Sequence, residues 1–198
     1  MALNDGCRRW ARGGITAMLA ALTLDCGRQE RVDPTAAPIA EFNQRVDAYV
    51  ALRNKLADAV GPLDETKSQA EIAARATALA NSIIAARPDA KQGDIFTTEV
   101  AAVLATLLKE EFRRRADSIK ETRVEQEQEH RTDGLPDFVP KVNQIYPTTY
   151  PLVTFPPTLL PLLPKLPEQL EYRLMGHHLF LRDVEANLIV DVMPNAVP

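Results

Sequence analysis

The side chains that could do chemistry in this chain are few and scattered. There are three histidines, His130, His177 and His178. His177 and His178 are adjacent, and neighbouring residues of a strand or turn point in different directions, so they do not readily share one ion. No His-x-x-x-His or Cys-x-x-Cys spacing supports a zinc site. The pair reads as a solvated turn. Asp183, Glu185 and Asp191 lie close together in sequence and could face one another across a hairpin. Paired carboxylates serve general acid–base chemistry or hold calcium only with burial or a fixed ligand spacing, and no calcium-loop pattern occurs. A secreted hydrolase or metal-dependent binding protein would have to draw on His177, His178, Asp183 and Glu185. Ser68, Ser82 and Ser118 fall in helical patterns, without a Gly-x-Ser-x-Gly or Ser-x-x-Lys context. Only eight glycines are present, five of them before residue 28 or at a helix stop, which excludes phosphate-cradling loops and hence ATP or dinucleotide enzymes. No catalytic, cofactor-binding or metal-ligating residue is assigned, and no cofactor is expected.

The N-terminus carries the most specific signal. Arg8, Arg9 and Arg12 precede Gly13 to Leu24, an uncharged and mostly apolar stretch of twelve residues. That is the layout of a secretory signal, and it is too short to cross a bilayer of about 30 Å as a helix. Both cysteines, Cys7 and Cys26, lie in or at the edge of this leader. Its removal leaves at most one thiol, so the mature chain has no intramolecular disulfide and must be held by packing. Cys26 directly follows the apolar stretch and precedes the polar run Gly27 to Pro38, so this region resembles that of bacterial lipoproteins, whose first mature residue is a lipid-modified cysteine. Asp25 stands where the lipoprotein pattern has a small residue, and Ala21-Leu22-Thr23 is the nearest site for ordinary cleavage. Cys26 is therefore the lipidation candidate.

With 23 basic and 27 acidic side chains the chain has a net charge of −4, and loss of residues 1–25 takes it to −5. The basic residues form no one-signed stripe beyond Arg113, Arg114 and Arg115, too small a positive field for binding a phosphate backbone, so nucleic acid is not an expected partner.

Three helical patterns follow. Ile39, Phe42, Val46, Tyr49, Leu56 and Val60 form one stripe of a helix over 38–60, with Pro38 suited to its first position and Gly61-Pro62 as its stop. Ser68 and Glu71 have capping-box spacing, ahead of the seam Ile72, Ala76, Leu79, Ile83 on a second helix that runs to Pro88. A third helix begins at about Ile95, with Phe96, Val100, Val103, Leu104, Leu107, Leu108 and Phe112 as its apolar residues. It becomes charge-dominated after Phe112 and ends near Gly134. Glu110 with Arg114, Glu111 with Arg115 and Glu127 with Arg131 have the i,i+4 order that suits a solvated helix. Short connections make the helices antiparallel neighbours.

Residues 136–167 hold nine of the fifteen prolines, interleaved with Phe138, Tyr146, Tyr150, Phe155 and leucines. Proline at this density forbids regular helix or central strand, while the apolar content is too high for a solvated linker, so the segment reads as an extended strap on the helices. Its PxxP spacings are too leucine-rich for an exposed groove ligand. Glu171–Met175, Leu179–Val184 and Leu188–Met193 then read as three strands of a meander.

The run LLPKLPEQLEYRLMGHHLFLRDVEANLIVDVM resembles the C-terminal end of a group of uncharacterised exported bacterial proteins, over about 32 of the 198 residues, between Leu159 and Met193. The resemblance implies a bacterial source and transfers no activity. The expected architecture is α+β: signal peptide 1–25, tether 26–37, a three-helix antiparallel segment 38–134, a proline-rich strap 135–168, and a small C-terminal three-stranded antiparallel meander, 169–198, packed with the helices. The expected role is that of a non-enzymatic exported cell-envelope protein, periplasmic or membrane-anchored by lipid on Cys26, acting through contact with another envelope protein.

Overall fold

The periodicity of residues 36–114 is realised as three helices in the computed structural model, which describes residues 33–62, 68–114, 138–150 and 155–197. Helix α1 spans Ala36–Val60, α2 Gln69–Ala86 and α3 Thr98–Arg114. Together with a three-stranded antiparallel sheet in the order β1-β2-β3, they make an α+β fold. Cys7, Cys26, His130, Ser118, the acyl-anchor region and the expected third-helix continuation through 115–134 lie outside the described residues.

Helix α1 starts two residues before the expected Pro38. Thr35 is its N-cap residue and Pro38 sits within the first turn, where a backbone N–H has no helical partner to lose. Asp33 Oδ1 accepts from Thr35 N and Oγ1 at 2.9 and 2.8 Å and closes the entry turn. These bonds hold the exposed Asp33 carboxyl below its ordinary value. At the other end Gly61 (φ 89) donates its N–H to Ala57 O, and the chain leaves the helix there, as the Gly-Pro pair requires. Ser68 caps α2 by accepting from Glu71 N at 3.4 Å.

The buried stripes are Phe42, Val46, Tyr49, Arg53 and Ala57 on α1; Leu79, Ala80 and Ile83 on α2; and Val100, Leu104, Leu108 and Phe112 on α3. Helix α1 packs against both α2 and α3. The seam expected on α2 is shorter than its pattern, because Ile72 is 40% exposed. Helix α3 starts later than its pattern, at Thr98. Ile95 and Phe96 belong to the connector that precedes it, where they are buried, and Phe96 stacks on Phe42 with 5.8 Å between ring centroids. Their N–H groups are committed to a side chain of the sheet, described below.

Strands β1 (Leu170–Met175), β2 (His178–Asp183) and β3 (Leu188–Met193) form the meander. Gly176, at φ 55, occupies the first central position of the two-residue β1–β2 turn, where a mirror-type turn takes glycine. A bulge between Leu181 and Arg182 sets Leu181 opposite Asp191 and Arg182 opposite Ile189, leaving Val190 as the extra residue. Every residue of β3 is buried. One face of the sheet, with Tyr172, Leu179, Leu181 and Leu188, joins the helical core; the other, with Phe180, Ile189 and Val192, forms a second cluster with Tyr146.

That second cluster corrects the expected course of the strap. Among the described residues only its latter part, with Phe155, Leu159 and Leu163, lies in the helical core; Phe138, Val142, Tyr146 and Tyr150 cover the opposite face of the sheet. The reason lies in β3, whose six residues are apolar on both faces apart from Asp191 and need cover on both. Segment 143–146 also closes the outer edge of β3: Asn143 N–H donates to Ile189 O, Ile189 N–H to Gln144 O and Tyr146 N–H to Asn187 O, all at 2.8–2.9 Å. Asn143 (φ 59) and Asn187 (φ 51) take the left-handed turns this requires. Pro161 lies in a single 3-10 turn, Leu160–Leu162.

Candidate functional site

The densest polar assembly forms where the β2–β3 turn meets α1 and α2. Asp183 ends β2 and is fully buried. Its Oδ2 accepts from Tyr49 Oη at 2.9 Å and from Arg53 Nε at 3.2 Å, and its Oδ1 accepts from the Ala186 backbone N–H at 2.9 Å. The last bond closes the turn 184–187, while the first two fasten that turn to α1. Arg53 Nη2 also pairs with Glu185 Oε2, and Arg75 Nη1 of α2 pairs with Glu185 Oε1. Arg53 Nη1 reaches Asn54 Oδ1 at 3.1 Å, and Arg75 Nε donates to Gly61 O at 3.0 Å. One exposed carboxylate thus joins two helices, and its buried neighbour anchors the sheet to the same arginine. Burial, and secondarily the negative charge of Asp183, push the Tyr49 phenol far above its ordinary value, so it stays a hydroxyl donor. Arg87 lies over the Tyr49 ring at 5.2 Å.

Asp191 makes a separate and different site. Its carboxylate accepts four backbone N–H groups: Gly93 at 2.9 Å, Ile95 at 2.7 Å, Phe96 at 2.8 Å and Val192 at 2.7 Å. Three come from the α2–α3 connector, which is why Ile95 and Phe96 do not join α3. Burial pushes the Asp191 carboxyl up, against the pull of these donors.

A third group lies on the strap side of the sheet. Glu171 accepts from Arg173 Nη2 at 2.6 Å and Arg182 Nη1 at 2.5 Å, while Arg182 Nε donates to Asn187 Oδ1 at 2.8 Å and its guanidinium lies 5.9 Å from the Tyr146 centroid. Burial raises Glu171, but the two arginines prevail and hold its carboxyl below the ordinary range.

The residues that could have formed a hydrolytic or metal site do not converge. His177 and His178 lie at the hairpin end of β2, where His177 Nδ1 is 3.1 Å from Val197 O and burial, with His177 alongside, lowers His178. Asp183 closes the other end, roughly 16 Å away along a strand that rises about 3.3 Å per residue. Asp183 and Glu185 share Arg53, but Asp191 is on the other side of the bulge with its own donors. Among the described residues no group of three His, Cys, Asp or Glu side chains is placed to hold a metal ion, and no helix is long and apolar enough to cross a membrane.

Sequence reasoning missed Arg53, Arg75, Tyr49 as a hydrogen-bond donor, and Glu171. One signal was available. The buried stripe of α1 runs 42, 46, 49, 53, 57, so Arg53 falls where the helical period demands an apolar residue. An arginine on an apolar face calls for a buried carboxylate.

Beside β1 lies a groove of about 650 Å3. Phe155, Leu160, Leu163 and Leu166 of the strap line it, facing Leu170 and Tyr172, with Lys165 and Arg173 as its cations. Tyr172 Oη donates to Pro164 O at 2.9 Å and ties its two walls together. Neither a family model, nor a curated protein, nor a solved structure matches this chain.

Proposed function

We propose that the protein is an exported cell-envelope protein, periplasmic or held at the membrane by lipid on Cys26, that works by contact with another envelope protein rather than by catalysing a reaction. The observation that carries this reading is the closure of its two buried carboxylates. Asp183 is satisfied by Tyr49, Arg53 and Ala186, and Asp191 by four backbone amides. A general base must reach a substrate proton, and a metal ligand needs a free lone pair aimed at a shared point. These carboxylates instead spend their lone pairs on fastening helices to sheet. The surface offered to a partner is the charged face of α3, where Lys109, Glu110, Arg113 and Arg114 are exposed.

Two measurements test the reading. Affinity capture from envelope extract should retain one stable partner, lost when Arg113 and Arg114 are both changed to Glu; the absence of any stable partner counts against it. Intact mass of the protein from its native membrane fraction should begin at Cys26 with added lipid, or after Thr23 for a soluble form. A mass that retains Met1 ends the export reading.

A further inference from the structure

The groove beside β1 offers about 650 Å3, within the roughly 300–1,000 Å3 of pockets that take small molecules. Its floor is Leu170 and Tyr172, each 5% exposed, and its rim is Leu160, 49% exposed. Phe155, Leu163 and Leu166 of the strap fill out the wall between them. A leucine left in water at the mouth of an apolar groove is surface that a hydrocarbon would cover favourably. The polar atoms of the lining are already committed. Tyr172 Oη donates to Pro164 O at 2.9 Å, and the Glu171 carboxylate accepts from Arg173 Nη2 and Arg182 Nη1 at 2.6 and 2.5 Å. Pro161 and Pro164 have no backbone N–H to give. A peptide or a sugar laid against these groups would leave its own donors and acceptors short of partners, a cost that a hydrocarbon chain does not incur.

One charge at this groove is unanswered. Lys165 lines it, is exposed, and has no hydrogen bond or ion pair among the described residues. Glu168, the acid nearest to it in sequence, is not part of the lining. With Glu171 matched by its arginines, the groove keeps a surplus positive charge at Lys165. We propose that the groove binds an acyl carboxylate, with its hydrocarbon chain against Leu160, Leu163, Leu166 and Tyr172 and its carboxylate on Lys165. The apolar walls supply affinity in proportion to the length of chain they cover, and the ammonium fixes which end of the ligand faces it. Because Lys165 is hydrated before the ligand arrives, the head contributes less than the chain. This binding adds to contact with a partner protein and does not rest on it.

Calorimetric titration of the full chain with decanoate, below its micelle concentration, should saturate at one ligand per chain. Hexanoate should bind more weakly, and acetate not at all. Lys165→Glu should weaken decanoate about fivefold and leave the neutral decanol unchanged, which separates loss of the head contact from loss of the fold. Leu160→Asp should weaken the acid and the alcohol alike. Both residues are exposed, so both variants should melt with the wild type. In methyl spectra, Leu160, Leu163 and Leu166 should shift on adding decanoate, while Leu79 and Ile83 between the helices stay in place. The absence of saturable binding, binding indifferent to both substitutions, or an equal loss of acid and alcohol in Lys165→Glu overturns the proposal. So does a dimer that decanoate dissociates in sedimentation, since the occupant of the groove would then be a second copy.

Discussion

Arg53 is 8% exposed at its side chain and Asp183 is fully buried, so each is tolerable only because of the other. Arg53→Ala leaves the Asp183 carboxylate with Tyr49 and one backbone amide, and should cost about 3–5 kcal/mol of stability in urea unfolding. Tyr49→Phe removes one neutral donor from a carboxylate that keeps its cation, and should cost about 1–3 kcal/mol. Replacing both ions, Arg53→Met with Asp183→Leu, should recover much of the first loss, since desolvation of the pair offsets its attraction. Glu171 contributes to the pH dependence of stability. Its carboxyl is held below the ordinary range in the fold, so its contribution is present above the unfolded value of about 4.3 and is lost as pH falls through the lowered folded value. Asp191 is shifted up and acts with the opposite sign. The groups facing Glu171 are Arg173 and Arg182. Glu171→Gln should therefore flatten the fall in melting temperature between about pH 5 and about pH 3, and a slope equal to wild type would refute the assignment.

At the level of elements, the connector 87–97 is the piece whose form depends most on something distant in sequence. Asp191 binds three of its N–H groups, Arg87 Nη2 reaches Val190 O at 3.5 Å, and Asn143 Nδ2 donates to Arg87 O at 2.9 Å. Strand β3 and segment 143 together hold the link between α2 and α3. Asp191→Asn keeps the shape but turns two donors toward a cluster of donors. It should cost about 1–3 kcal/mol and speed amide exchange at Gly93, Ile95 and Phe96 more than elsewhere. Uniform acceleration would mean that the carboxylate stabilises the molecule without shaping this loop. The exposed ion pair of Glu110 with Arg114, at 3.5 Å, was legible from its i,i+4 order and contributes little, because both side chains are about half or more exposed.

For the whole molecule, the sheet does not sit beside an independent helical bundle; it completes one. Leu170, Tyr172, Leu179, Leu181, Leu188 and Val190 lie in the same apolar cluster as Phe42, Leu79, Ile83, Val100 and Leu104. A chain ending at Gly134 should keep a strongly helical far-ultraviolet spectrum, because the α1 and α2 caps and stripes are local. It loses the cover over Phe42, the Asp183 partner of Arg53 and the Asp191 hold on the connector, and should melt with a broad transition and bind an apolar dye. A sharp transition equal to that of the full chain would make the helices autonomous.

The three helices, the Ser68 cap, the Gly61-Pro62 stop and the three strands were legible in the sequence because each rests on local periodicity and on residues within a few positions of one another. The paired acids at 183 and 185 were visible too, but not their state. Whether a carboxylate is a base, a ligand or a fastener depends on which donors reach it, and beside the local Ala186 N–H those of Asp183 come from Tyr49 and Arg53, more than ninety positions away. The strap shows the same division. Its prolines excluded helix and its aromatics required burial, both local facts, yet which face received them was decided by β3, whose apolar residues on two sides needed two covers. Tertiary structure also decided which edge of the meander was closed, since all three strands look alike until segment 143–146 pairs with one of them.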